Sequence, residues 1–174
     1  VSLRRIEAVR DLREAFRDAS ERFSGDRTTD VAYTTPASGE TTLERAVAYR
    51  RLLEEKREKE LWQGATLVGP HREDLAVTVA GRDLPSSASR GEQRSAVLSL
   101  KLAEASWLEA RAGELPVFLL DDVLSELDPD RREKLIDALP SAAQAFVTSA
   151  LPAGLPRALA ERATVVPVSR GHVG

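Results

Sequence analysis

Apolar residues recur at steps of three and four along the first 24 residues, and charged residues fill most positions between them. This spacing predicts one apolar stripe on a helix that ends at Gly25. The stripe consists of Leu3, Ile6, Val9, Leu12, Phe16, Ala19 and Phe23. A second helix is predicted from Thr41 to about Gln63, because Thr41 and Glu44 form a capping-box pattern.

The rest of the chain alternates between short β-prone runs and helical segments. Strands are predicted at residues 31–35, 65–68, 75–79, 117–120, 145–148 and 164–168, and helices at residues 90–112, 129–139 and 157–162. The run Val117–Leu120 is wholly apolar, which is typical of a strand buried on both faces. Strands and helices that alternate in this way predict an α/β fold with a parallel sheet and helices packed on it.

The composition changes near Gly64, and this change predicts a boundary between two units. Residues 1–63 are expected to form a mainly helical arm, and residues 64–174 an α/β unit. The mixed charges of the second helix, at residues 50–60, indicate a solvated helix surface with pairs four residues apart.

Composition and charge exclude several classes of protein. Of 174 residues, 42% are hydrophobic and 30% are charged, so a core can form and wholesale disorder is excluded. The formal net charge of -3 excludes nucleic-acid binding through bulk positive charge, although it leaves room for a local basic strip. Cysteine is absent, which excludes disulfides and permits a cytosolic setting. The chain has no Met, even at position 1, and we expect it to be part of a longer protein.

Two carboxylates follow the apolar run, at Asp121 and Asp122. Ligands of open α/β folds bind at the carboxyl edge of the sheet, where such residues lie. Mg²⁺ takes oxygen ligands and keeps several waters, so Asp121 is a candidate to hold it while phosphates supply other ligands. Asp122 is a candidate to orient, or take a proton from, the water that attacks a γ-phosphate. Alternatively, the acidic pair only ends a strand and starts a turn.

Two capping patterns accompany this acidic pair. Asp128 before Pro129 is an ordinary helix start, although the loop from Ser125 to Asp128 could also contact a facing subunit. Ser89 and Glu92 form a second capping box. A helix N-terminus of this kind is either a plain cap or an anion site, and Gly91 would let an anion approach the backbone closely.

Three segments together resemble the ABC-type ATPases. The segment Ser89-Arg90-Gly91-Glu92-Gln93 resembles their signature motif, residues 119–122 resemble their Walker B strand, and residues 125–128 resemble their D-loop. Together with Gly69-Pro70-His71-Arg72-Glu73-Asp74-Leu75, they resemble the RecF family, which lies in the SMC-like, DNA-repair branch of these ATPases. The combined motifs span residues 69–128 and are far more specific than any one of them. The resemblance implies the C-terminal part of an ABC-ATPase head, preceded by a helical arm that belongs to lobe II.

The resemblance also implies roles for the site residues. ATP and Mg²⁺ would be the cofactors, and two nucleotides would be held between the protomers of a nucleotide-dependent homodimer. Ser89 and Gly91 would reach the γ-phosphate held by the partner, and Asp121 would coordinate Mg²⁺. Asp122 stands where most relatives carry a catalytic Glu, and its shorter side chain suggests slow hydrolysis.

The sequence departs from the family pattern in two places. It contains no G-x-x-x-x-G-K-[ST] phosphate-binding loop, so we expect the chain alone to bind ATP poorly and to be inactive as an ATPase. Many relatives also place a His after the strand at residues 145–148, where it senses the γ-phosphate. Here Ser149, or as a second choice Thr148, fills that position, and either could be an ordinary polar residue at a strand end.

The family further implies binding of duplex DNA near single-strand/double-strand junctions, with RecR, RecO and RecA as partners in the cytoplasm and no membrane. Residues 1–63 hold 13 basic and 13 acidic residues, so they give this expectation little electrostatic support. The alternative is a fragment without catalysis that offers a surface to RecR, to DNA or to a missing N-terminal lobe. His71 and Arg72 either pin a turn or contact DNA, and the pinned turn is the preferred interpretation.

Overall fold

The computed structural model describes residues 1–150 and 155–173, and their architecture is α/β, as predicted. The predicted second unit runs to residue 174, so its residues 151–154 and 174 lie outside this description. The helices are α1 (Ser2–Ser24), α2 (Thr42–Gln63), α3 (Leu84–Ser87), α4 (Arg90–Ala112), α5 (Pro129–Ala138) and α6 (Arg157–Arg162). The strands are β1 (Thr29–Thr34), β2 (Asp74–Val79), β3 (Arg82–Asp83), β4 (Phe118–Asp121), β5 (Ala145–Thr148), β6 (Val168–Ser169) and β7 (His172–Val173), and a 3-10 turn covers Val123–Glu126.

The strands form three small sheets with different topologies. β4 and β5 pair in parallel, which confirms the predicted parallel arrangement for these two strands. The sheet β1-β2-β3 is antiparallel, so the parallel sheet predicted for the α/β unit is wrong for the strand at residues 75–79, which lies in β2. β6 and β7 form a short antiparallel pair. The parallel pair is the part of the fold that positions the acidic residues Asp121 and Asp122.

Two of the predicted strands, at residues 65–68 and 164–168, do not form as predicted. Residues 65–68 are irregular, because the Glu60 carboxylate accepts the N–H groups of Leu67 and Val68, at 2.6 and 3.2 Å. These donors are therefore not available to a strand ladder. Residues 164–167 have no regular structure, and only residue 168 of the predicted last strand pairs, within β6.

Two apolar clusters form the core, and α1 contributes to both. Phe16 of α1 packs in the first cluster with residues of β1, α3 and α4, and Phe23 packs in the second with the 3-10 turn and α5. Both phenylalanine side chains are fully buried. The first cluster consists of Phe16, Val31, Leu84, Ala96 and Ala103, and the second of Phe23, Leu124, Leu127, Leu135 and Ile136.

The strand β4, which we predicted to be buried on both faces, has one exposed face. Leu119 of β4 is 74% exposed, and Phe146, its register partner on β5, is 55% exposed. Phe118 and Leu120 point the other way and are half-buried. Within the described residues no element covers the outer face of this two-stranded sheet. The pattern of four apolar residues therefore did not distinguish a strand buried on both faces from one with an open apolar face.

The predicted division between residues 1–63 and 64–174 stays a prediction. Across that boundary, β1 pairs with β2 in the register Thr29↔Val79 to Thr34↔Asp74. Helix α1 packs against α4, so elements from both sides of the boundary share the first cluster.

Helix α2 begins where the capping box predicts. The Thr41 side chain accepts the N–H of Glu44 at 3.2 Å, and the Glu44 carboxylate accepts the N–H of Thr41 at 3.0 Å. None of the 22 residues of this helix is buried, which agrees with the predicted solvated surface. Neither α2 nor any other helix of the described residues combines the length and the apolar composition required to cross a membrane.

Candidate functional site

The acidic pair lies at the carboxyl end of β4. Asp121 is the last residue of the strand and is exposed. Asp122 leaves the strand in the left-handed conformation, with φ +50° and ψ +17°. Aspartate is among the few residues other than glycine that enter this region at modest cost, because its short polar side chain can bond locally. The chain therefore turns sharply at the sheet edge with two adjacent carboxylates at its surface.

Thr148, at the end of the neighbouring strand, links the two acidic residues. The parallel register places it opposite Asp121. Its hydroxyl donates to Oδ1 of Asp121 at 2.5 Å and accepts the backbone N–H of Asp122 at 3.0 Å. Ser149, the preferred candidate from the sequence, is exposed and follows directly after the strand. Thr148 thus positions the acidic strand end.

The segment after the acidic pair forms a tight turn and then α5. Ser125 donates its hydroxyl to the carbonyl of Asp122 at 2.8 Å, which closes the turn. Asp128 caps α5 as predicted, because its carboxylate accepts the N–H of Arg131 at 3.0 Å. That backbone bond and the nearby Arg131 charge lower the pKa of Asp128. Ser125 and Asp128 are both exposed, so the turn is open to contact from outside.

Ser89 begins α4 through the predicted capping box. Its hydroxyl accepts the N–H of Glu92 at 3.3 Å, and the Glu92 carboxylate accepts the N–H of Ser89 at 2.7 Å. Hydrogen bonds from the side chain and backbone of Ser89 to the Glu92 carboxylate lower the pKa of Glu92. Ser89 and Arg90 are exposed, so the N-terminal dipole end of a 23-residue helix faces solvent. This end of the helix has the polarity that favours an anion.

The remaining signature residues turn toward the protein. The Gln93 side chain donates to the carbonyls of Ala88 and Pro85, at 3.1 and 3.3 Å, and so holds the segment that leads into α4. Gly91 is half-buried. Arg94, one residue further on, donates to the backbone carbonyl of Glu126 at 3.1 Å. The structure therefore brings the Ser89–Gln93 segment beside the turn that follows the acidic pair.

The acidic pair fits a magnesium ion that shares its coordination with phosphate. No cluster of three or more His, Cys, Asp or Glu residues that could hold a metal occurs among the described residues. A single carboxylate is sufficient for Mg²⁺ when waters and phosphate oxygens supply the other ligands. The exposed carboxylate of Asp121 meets this requirement.

His71 and Arg72 lie in a turn that their own contacts with Thr66 stabilise. A ring nitrogen of His71, Nε2, lies 3.0 Å from the hydroxyl of Thr66, and Arg72 Nε donates to the Thr66 carbonyl at 2.9 Å. Both residues are exposed. The contacts agree with the preferred interpretation of a pinned turn.

No local sequence pattern indicates the polar cluster around Glu73. Its carboxylate accepts the hydroxyls of Ser2 at 2.7 Å and Tyr33 at 2.6 Å, and also those of Thr35 and Tyr49. Burial raises the pKa of Glu73, but the four donated bonds outweigh it and bring that pKa to about 2. The donors lie 24 to 71 residues from Glu73, so no local pattern could identify them.

Comparisons with known proteins connect this geometry to one family, although no protein-family model matches the chain. The chain is 35% identical over 175 residues to a protein of Pediococcus pentosaceus named DNA replication and repair protein RecF, covering 98% of this chain and 47% of that protein. Proteins of the same name are 42% identical in Symbiobacterium thermophilum (84% of this chain, 40% of that protein) and 50% identical in Heliobacterium modesticaldum (59% and 28%). The chain thus spans less than half the length of these curated relatives.

Two solved structures have the same fold. One is described as the recombination mediator protein RecF-ATPrS in the RecFOR pathway; it is 29% identical, has a TM-score of 0.78, and the match covers 98% of this chain and 45% of that one. The other is described as RecF-ATP in the same pathway; it is 29% identical, with a TM-score of 0.67 over 87% of this chain and 42% of that one. The fold, the order of the motifs and the named relatives agree, and the chain belongs to the RecF family of DNA replication and repair proteins.

Proposed function

We propose that this chain is part of an ATP-binding head that binds duplex DNA near gaps and single-strand/double-strand junctions and supports RecA loading. The proposal includes slow ATP hydrolysis in a nucleotide-dependent homodimer, with RecR and RecO as partners in the bacterial cytoplasm. It is supported by the solved relatives whose descriptions name ATP and an ATP analogue. The observation that carries it is the acidic end of β4, where the Thr148 hydroxyl bonds to both Asp121 and Asp122.

Each candidate residue has a role in this proposal. Asp121 holds Mg²⁺, which would neutralise charge on the phosphates. Asp122 orients the attacking water or accepts its proton. Ser89 and Gly91, at the exposed tip of α4, contact the γ-phosphate bound by the second copy. The hydroxyl of Thr148 keeps Asp121 and the backbone of Asp122 in fixed relative positions, and Ser149 stays a candidate for sensing the γ-phosphate.

Two further parts of the site have proposed roles at the dimer interface. Ser125 and Asp128, in the exposed turn after the acidic pair, face the second copy. Arg90, Glu92 and Gln93 complete the signature segment: the capping box of Glu92 and the amide bonds of Gln93 fix the direction of the helix tip. A fixed tip matters because donors that are already oriented need no reorganisation when phosphate charge develops.

A second candidate function is a binding module without catalysis. The observation that favours it is the open apolar face of β4 and β5, where Leu119 is 74% and Phe146 is 55% exposed. Contiguous exposed apolar residues mark interaction sites in soluble proteins. On this view the chain offers a surface to RecR, to DNA or to a missing N-terminal lobe, and nucleotide does not change its binding.

Replacing Ser89 with Arg separates the two functions. We expect ATP turnover when the chain is combined with a segment that carries a phosphate-binding loop, and we expect Ser89→Arg to reduce it about 100-fold, because the larger side chain displaces the γ-phosphate from the helix tip. Ser106→Arg is the matched control, since Ser106 is an exposed serine on the same helix. Steady-state phosphate release measures both variants.

Two outcomes would contradict the ATPase proposal. One is equal turnover in Ser89→Arg and Ser106→Arg. The other is binding to RecR or duplex DNA with the same affinity in the presence and absence of ATP, which favours the binding module.

A further inference from the structure

The guanidinium of Arg131, on α5, lies against Gly91 at the start of α4. A Cβ atom added to Gly91 would lie 2.7 Å from Arg131 Nη1 and 3.6 Å from its Cζ. Real Cβ atoms do not tolerate the shorter distance, so an alanine there would displace the arginine. Gly91 is not among the residues with positive φ, so its own backbone conformation does not require glycine. The place of a Cβ is instead taken by the guanidinium of Arg131, the end of a flexible side chain.

Arg131 also contacts the cap of its own helix. Its Nη1 lies 3.3 Å from Oδ2 of Asp128, and its backbone N–H bonds to Oδ1 of the same carboxylate. The positive charge of Arg131 also acts on Glu92, where it adds to the lowering of the pKa that the Ser89 bonds produce. One side chain, 30% exposed, therefore lies among the capping acids of two helices and the backbone of Gly91.

A second arginine joins the same two segments in the opposite direction. Arg94, on α4, donates to the carbonyl of Glu126 at 3.1 Å, and its Nε lies 3.3 Å from the Glu126 carboxylate. Arg131 reaches from α5 to the tip of α4, and Arg94 reaches from α4 to the turn before α5. A single exposed ion pair contributes little to stability. Here the contacts of Arg131 and Arg94 run in opposite directions between the same two segments, and one of them is made to a backbone carbonyl, so together they restrict the tip of α4 and the turn before α5.

We propose that Arg131 is a positioning residue that, together with Arg94, holds the Ser89–Gln93 tip and the Ser125–Asp128 turn as one unit. The Arg131 guanidinium lies where a Cβ of residue 91 would stand, so the two segments are in direct contact at this point. The consequence for catalysis rests on the proposed function: a displacement of the turn by a facing subunit moves the tip that contacts phosphate. The mechanical coupling itself needs no nucleotide, so it is tested separately.

The first test follows backbone amides of the ¹⁵N-labelled chain by NMR without nucleotide. Arg131→Ala is expected to shift the amides of Gly91 and Glu92 on α4, because the guanidinium next to them is lost. Lys134→Ala is the matched control, since Lys134 lies one turn further along α5 and pairs with Asp130 at 2.8 Å. We expect the control to leave the Gly91 amide unchanged. Shifts confined to α5 in both variants would overturn the proposal.

The second test compares one substitution in two backgrounds by thermal denaturation. With Arg131 present, Gly91→Ala is expected to raise the midpoint temperature only slightly, because the new methyl group displaces the guanidinium from Asp128 and so offsets part of the gain. In the Arg131→Ala background the same change is expected to raise it more, because alanine favours a helix more than glycine does and no contact is lost. A change of the same sign and size in both backgrounds would contradict the coupling.

The third test measures turnover in the combination that contains a phosphate-binding loop. Arg131→Ala is expected to lower kcat at least fivefold and to leave KM for ATP unchanged, and Arg131→Lys is expected to restore only part of kcat because it lacks the planar fork. An unchanged kcat would limit Arg131 to a structural role and overturn the positioning claim. Absence of turnover in the unmodified protein would instead refute the proposed function, and the NMR and denaturation results would still decide the coupling.

Discussion

Replacing Glu73 with Gln is expected to lower the free energy of unfolding by about 2–4 kcal/mol, because the carboxylate accepts four hydroxyl bonds and an amide cannot. Ser2 and Tyr33 donate to one of its oxygens, and Thr35 and Tyr49 donate to the other. In glutamine, an NH₂ group replaces one of the two carboxylate oxygens. This group donates hydrogen bonds, so the two hydroxyls that bonded to that oxygen lose their acceptor. The cluster ties α1, β1 and α2 to the segment before β2, so the loss affects several elements together.

Chemical denaturation at neutral pH measures this effect, and Asp74→Asn provides the matched control. Asp74 is the next residue, is exposed, and its carboxylate accepts the N–H of Leu75 at 2.8 Å. We expect the control to change the free energy of unfolding by less than about 1 kcal/mol, as is usual for exposed substitutions. Equal losses in the two variants would show that the hydroxyl cluster has no special contribution.

Two carboxylates with lowered pKa values, Glu73 and Asp30, predict how stability changes with pH. The pKa of Glu73 is lowered from 4.5 to about 2, because the donated hydroxyl bonds outweigh burial. The bond from Arg13 is the largest cause that lowers the pKa of Asp30 from 3.8 to about 2. Because both pKa values are lower in the folded state, their contribution is full above about pH 4.5 and is lost as the pH falls toward about 2.

Denaturation measured between about pH 4.5 and pH 2 separates the contributions of Glu73 and Asp30 to the free energy of unfolding. The difference in unfolding free energy between the unmodified chain and Glu73→Gln is expected to shrink as the pH falls, because the unmodified carboxylate also loses its charge. The variant should keep the weaker pH dependence that Asp30 produces. A difference that stays constant down to pH 2 would contradict the lowered pKa of Glu73.

Elements with a local signal were predictable from the sequence, and long-range pairings were not. The end of α1 at Gly25 follows from a glycine that adopts φ +76°, and the start of α2 follows from the capping box at Thr41. The antiparallel pairing of β1 with β2 joins residues about 45 apart in the chain, such as Val31 and Val77. Short β-prone runs specify neither their partner nor their direction, so the predicted parallel sheet was wrong for the strand at residues 75–79.

The same distinction applies to the candidate site. The places of Asp121 and Asp122 at a strand end and the cap at Ser89 were predictable because each pattern lies within a few consecutive residues. Thr148 could be named as the link to Asp121 only once the parallel register was known, because 27 residues separate the two. The contact between Arg131 and Gly91 joins two motifs that the sequence treats as separate, and it depends on how α4 and α5 pack.

Replacing Asp122 with Asn is expected to reduce the rate of ATP hydrolysis about 10² to 10⁴-fold, the range typical for loss of a general base. The substitution tests the carboxylate without disturbing the backbone. Asp122 adopts the left-handed conformation at φ +50°, which asparagine also tolerates, and its N–H bond to Thr148 does not involve the side chain. The rate is measured in a single-turnover assay on the combination that contains a phosphate-binding loop.

Asp137→Asn is the matched control for the loss of one negative charge, because Asp137 is exposed on α5. Its rate should equal that of the unmodified protein, and both variants should bind ATP equally, since Asp122 is proposed to act on water rather than on the nucleotide. Unchanged hydrolysis in Asp122→Asn would remove this residue from the proposed role. Weaker ATP binding with a proportional loss of rate would instead assign it to holding the nucleotide, because only a loss of rate at saturating ATP indicates an interaction made in the transition state.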